Sequence, residues 1–174
     1  MAVFNIPRAK RNEDGYMERL IGNMYKSSNL IFKKGYGICY VSPETIINSF
    51  NSIRNLYCKI NLLKVHCMEL FIEPEIDRSV VIMIADRFGR ILYDLGFQSF
   101  ICVVDEGDRY VIAVAVNSVS FQEGRLFYDN NAHYGIIYQS LCEIIPLKLR
   151  LEISDNSFFD PEKRKGNYVH GVFH

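Results

Sequence analysis

The run "FQSFICVVDEGDRYVIAVAVNSV", residues 97–119, constrains the fold more than any other part of the chain. Two stretches of strand-forming residues meet at Glu106-Gly107-Asp108, a turn composition that joins neighbouring strands into an antiparallel hairpin. Successive strand side chains point to opposite sides of a sheet, so the second strand divides into two unlike faces. Val111, Ala113, Ala115 and Asn117 make a face of small residues, and Tyr110, Ile112, Val114, Val116 and Ser118 make a bulkier one. What the small face leaves room for is the question this chain poses.

Helical and strand periods alternate around the hairpin. "EDGYMERLIGNMYK" places Tyr16, Met17, Leu20, Ile21 and Met24 near helical spacing. In "FKKGYGICYVSPETIINSF" two glycines flank a short strand expected around Ile38 to Val41, and Ser42-Pro43-Glu44 opens a helix. Ile46, Ile47, Phe50, Ile53 and Leu56 form its expected buried stripe. "LLKVHCMELFIEPE" reads as a strand ended by Pro74, and "IDRSVVIMIADRFGRILYDLG" as the clearest helix, with Gly96 where a C-terminal glycine belongs. A helix over about Tyr134 to Ile145, stopped by Pro146, and a strand in "LKLRLEIS" complete the order. Helices on one face of a central, largely antiparallel sheet give an α+β fold. Residues 1–153 are expected to form a single domain, and residues 154–174 a loosely held polar tail.

Bulk properties bound the function more weakly. A 174-residue chain with 49% hydrophobic and 23% charged residues is globular and long enough for a real core. Twenty basic and twenty acidic residues cancel, so net charge names no partner. The first 34 residues nevertheless hold seven basic against three acidic residues. Arg8, Lys10, Arg11, Lys26, Lys33 and Lys34 are the candidate DNA contacts, against the commoner reading of a solvated basic end. Cys39, Cys58, Cys67, Cys102 and Cys142 have neither zinc nor disulfide spacing. With no apolar run of membrane-spanning length and no secretory pattern at the start, the expectation is a cytoplasmic protein with no membrane partner.

Three stretches in this order resemble the relaxases, or mobilization nucleases, of mobile genetic elements. They are "GICYVSPETIINSF", "KVHCMELFIEPEIDRSVVIMIADRFGRILY" and "CVVDEGDRYVIAVAVNSVSFQEGRLFYDNNAHYGIIYQSLCEI". The similarity spans roughly residues 15 to 146 and rests on pattern and order, the third stretch being the most specific. It implies a relaxase-like sheet of the HUH-endonuclease type. In such enzymes a tyrosine attacks a DNA phosphodiester, and a divalent metal held by three histidines polarises the phosphate.

Carried over residue by residue, the family's ligand positions fall on Val104, Val111 and Ala113, none of which has a lone pair for a metal. The nucleophile position falls on Leu20, with Tyr16 one helical turn earlier. The resemblance therefore implies a relaxase-like protein without catalytic activity and without a cofactor, acting in DNA binding or as an accessory to mobilization. Its implied partners are single-stranded or origin DNA and other mobilization proteins. One alternative is an active nickase with a rearranged, metal-dependent centre built from Tyr16, His66 and the acidic turn Asp105, Glu106 and Asp108. Another is a protein-interaction module with no DNA role. Beside these stand plainer readings: His66 as a satisfied strand histidine, the acidic residues as turn formers, His133 as a helix-start residue, and His170 with His174 as a chance pair.

Overall fold

The computed structural model describes residues 1–7, 14–59, 65–127, 130–155, 157 and 159. In chain order the elements are β1 (Ala2–Asn5), α1 (Tyr16–Lys26), β2 (Leu30–Tyr36), α2 (Pro43–Leu56), β3 (Val65–Ile72) and α3 (Arg78–Asp94). The hairpin strands β4 (Phe97–Asp105) and β5 (Tyr110–Ser120), then α4 (Asn131–Ile144) and β6 (Leu151–Ile153), follow. Six strands form one sheet in the order β2-β4-β5-β3-β1-β6. Every neighbouring pair is antiparallel except β1 with β6. The α+β architecture expected from the sequence is present.

Two expectations change. The strand expected around Ile38 to Val41 lies earlier, at Leu30–Tyr36, and the Ile38–Val41 segment is connecting chain. Lysines at 33 and 34 mask that strand in the sequence, because it is an edge strand whose charged side chains reach solvent on both sides of the sheet. β1 also escapes sequence reading, being only four residues long.

Helices cover both faces of the sheet rather than one. Ile101, Val103, Ile112, Val114 and Val116 pack with α3 and α4 through Ile84, Phe88, Leu92, Tyr134, Ile137 and Leu141. Their strand neighbours Phe100, Cys102 and Ala115 pack on the opposite side with Met17, Ile21 and Met24 of α1 and Ile46 and Phe50 of α2. Period-two alternation along buried strands thus feeds two cores. The helix starts follow local chemistry. Ser42 and Thr45 cap α2 reciprocally with Pro43 at the first position, and the Asp77 side chain accepts from the Ser79 amide at 2.7 Å. At the far end of α2 the expected stripe fails: Arg54 is buried while Leu56 is 68% exposed.

The edge strand is pinned to α3. Asp86 accepts from Lys34 Nζ at 2.5 Å, Tyr36 Oη at 2.8 Å and Arg90 Nε at 2.8 Å. The Tyr36 ring packs against Gly89, where an added Cβ would come within 2.0 Å of it. Burial alone would raise the Asp86 carboxyl. The hydrogen bonds from Lys34, Arg90 and Tyr36, with the Lys34 charge, outweigh that and hold it at about 2.

Packing also continues past the domain boundary expected at residue 153. Ser154 donates its amide to Phe4 O at 2.9 Å, and the Ser157 hydroxyl accepts from the Ile6 amide at 3.1 Å. Phe159 is fully buried against Phe4, Tyr134 and Tyr138. Residues 160–174, most of the expected tail, lie outside the described residues.

Two measurements follow from this packing. Phe159→Ala is expected to cost about 3–5 kcal/mol of unfolding free energy, as for other buried phenylalanines. A denaturant midpoint unchanged from the parent would show that the 154–159 segment is not part of the core. Because the folded-state Asp86 value lies below the ordinary 3.8, its network contributes fully above about pH 4 and is lost as pH falls toward 2. Asp86→Asn should therefore flatten the acid limb of a thermal-stability profile in that window. An unaltered limb would remove the network from the account.

Candidate functional site

The hairpin register brings together the three positions to which the resemblance assigns ligands. Val104 lies directly across from Val111 between β4 and β5, and Ala113 is flanked by Cys102 on β4 and Glu69 on β3. All occupy the face on which Ala115 meets α1 and α2. Val111 is 8% exposed, and Val104 and Ala113 are half-buried against the α1–α2 cluster. The small face is thus occupied, because short side chains on β5 let two helices sit close to the strand. Burial pushes the neighbouring Cys102 thiol up to about 12, so it stays protonated and is no thiolate donor.

Asn117, at the end of the same face, ties this layer down. Its amide donates to Phe50 O of α2 at 3.1 Å and to Gln98 Oε1 at 2.9 Å, and Gln98 Nε2 in turn donates to Gly37 O at 2.8 Å. Sequence reading noticed Asn117 as part of a motif. Its structural work, a buried amide relay joining α2, β4 and the turn after β2, depends on partners 19 and 67 residues away.

The structure does not bring the nickase candidates into one centre. Tyr16 begins α1 and packs with the α1–α2 cluster, as does Leu20. His66 pairs with Val116, whose side chain belongs to the other face. The His66 ring is 1% exposed and 4.6 Å from that of Phe127, inside the α3–α4 core. The sheet separates it from Tyr16.

The acidic turn is engaged locally. Asp105 Oδ1 accepts from the Gly107 amide at 2.9 Å, and Glu106 pairs with Arg109 at 2.7 Å. The His133 amide donates to the Asn130 side chain capping α4, which fits the helix-start reading. Among the described residues no group of three or more His, Cys, Asp or Glu side chains is arranged to hold a metal.

The basic candidates separate in space. Arg8, Lys10 and Arg11 lie outside the described residues, as do His170 and His174. Lys34 points toward α3 and is bound to Asp86. Lys33, next in the strand, points the other way, with Nζ 3.7 Å from the centroid of the Tyr25 ring. Tyr25 stacks on Phe100 and donates its hydroxyl to Val41 O, beside the exposed Tyr40 and Val41. Lys26 follows Tyr25 at the end of α1, and among the described residues neither Lys26 nor Lys33 makes an ion pair. This basic and aromatic corner had no local signal, since Tyr25 and Lys33 belong to different elements. Among the described residues no helix is long and apolar enough to cross a membrane.

Comparison with models of known protein families gives no match, and neither does comparison with curated protein sequences. The likeness to relaxases therefore rests on the residues quoted above.

Whether the small face is filled or open can be measured with Ala115→Leu. In a packed layer the added methylenes displace α1 and α2 and cost about 1–3 kcal/mol. If the larger side chain leaves stability unchanged or raises it, the face has spare room.

Proposed function

We propose that this protein is a non-catalytic, relaxase-like DNA-binding or accessory mobilization protein. The observation that carries this reading is the set Val104, Val111 and Ala113, which share one face of the central hairpin, with Val104 and Ala113 packed against the α1–α2 cluster. A catalytic divalent ion needs imidazole or carboxylate donors, and these three side chains supply none. Separation of Tyr16 from His66 by the sheet weighs against a rearranged centre that uses both.

Binding is what the remaining surface supports. Among the described residues Lys26 and Lys33 make no ion pair, Lys33 rests on the Tyr25 ring, and Tyr40 is 39% exposed nearby. Cations near an exposed aromatic ring such as Tyr40 suit a single strand, whose phosphates meet the charges while a base stacks on the ring.

The test combines turnover with binding. With magnesium or manganese and single-stranded origin-like DNA, no nicking is expected, while a salt-sensitive complex forms. Lys33→Gln should weaken that complex and flatten its salt dependence by about 0.7 in log–log slope, the share of one single-strand phosphate contact. Metal-dependent nicking that disappears in Tyr16→Phe would overturn the non-catalytic reading. A failure to bind DNA at low salt would instead favour an interaction module with no DNA role.

A further inference from the structure

Beyond Val111, on the side of the sheet away from the hairpin's helix-covered centre, the same face carries a cleft of about 480 Å³ between β1, the end of β3 and the β4–β5 turn. Its floor follows from the strand register. Val3 pairs with Phe71 and Phe71 with Val111, so these side chains share the face. The volume is that of a small-molecule site.

The wall formed by the turn is charged and held in place. The Arg109 guanidinium stands 4.7 Å from the centroid of the Phe71 ring, and its Nε donates to Glu106 at 2.7 Å. Those two contacts fix the plane of the group. Its terminal nitrogens, the edge that grips a carboxylate with two parallel hydrogen bonds, meet no acceptor among the described residues. Asp108, the preceding residue, also lines the cleft and has no hydrogen bond or ion pair among the described residues. The Arg109 guanidinium edge and the Asp108 carboxylate, which feel each other's charge, therefore line the cleft together with Val3 and Phe71, and Asn5, Glu73 and Ser154 line it too.

We propose that this cleft binds a small zwitterion of the α-amino-acid type, with the ligand carboxylate on Arg109, its ammonium on Asp108 and an apolar side chain over Val3. Neither a simple anion nor a simple cation satisfies both groups. An anion on Arg109 lies next to the Asp108 charge, and an amine on Asp108 lies next to the guanidinium. A molecule carrying both charges on adjacent carbons relieves both conflicts. The site is independent of the DNA-binding reading and lies apart from Tyr25 and Lys33.

L-leucine is the probe, followed by amide and arginine side-chain resonances in nitrogen-15 NMR spectra. Saturable shifts are expected at Val3, Phe71, Asp108 and the Arg109 Nε. Leucine's two half-molecules, 4-methylpentanoate and 3-methylbutylamine, should each bind at least tenfold more weakly. Arg109→Gln and Asp108→Asn should each lower affinity for leucine tenfold or more, while Lys26→Gln leaves it unchanged. Both positions are at the surface, and an otherwise parental spectrum establishes that the variants remain folded. The proposal is overturned if leucine gives no saturable shift at these positions. It is overturned equally if either half-molecule binds as tightly as leucine, or if Arg109→Gln binds as tightly as the parent.

Discussion

Contact between the short side chains of β5 and the α1–α2 layer organises the whole molecule. Ala113 and Ala115 leave space, and Met17, Ile21, Ile46 and Phe50 fill it. Close packing on this side makes β5 a strand buried on both faces, and a strand buried on both faces has to be apolar almost throughout. A buried face of this kind is held by fit as well as by area, since interiors are packed to the density of organic crystals. Asn117 helps set the register of that fit: α2 displaced along the strand would break the bond from the Asn117 amide to Phe50 O in an apolar surrounding.

This arrangement also explains why the site reads as it does. Chemistry on a sheet face requires polar donors and access for substrate. Here Val104 and Ala113 offer no donor, and the cluster they pack against is methionine, isoleucine and phenylalanine. Polar groups survive at the margins of the face: the Asn117–Gln98 relay at one end, and Glu69 holding Asn5 at 2.8 Å toward the β1 edge. Beyond Glu69 the face opens into the cleft beside Arg109. The functional surfaces proposed for this protein accordingly lie around the hairpin's centre and not in it.

Much of the fold was legible because it depends on short-range rules. The β4–β5 hairpin declared itself through its acidic glycine turn, α2 through Ser42-Pro43, and α3 through its apolar spacing ended by Gly96. What escaped depends on contacts distant in sequence. β2 looks polar until its place at the sheet edge is known, β1 is too short to show a period, and Phe159 becomes core only by crossing to Phe4. The same divide runs through the candidate site. The absence of ligands at Val104, Val111 and Ala113 could be read residue by residue, whereas the opposite facing of Tyr16 and His66 required the sheet.

The adjacent lysines of β2 show what pleating does to a charge count. In the linear chain, Lys33 and Lys34 form a basic doublet. In the folded molecule they stand back to back, one spent on an aspartate that anchors a helix and the other left on a tyrosine ring. An approaching polyanion meets a single positive charge there. Exchanging one lysine should trouble the molecule's integrity and exchanging its neighbour its company, so two consecutive codons govern separable traits.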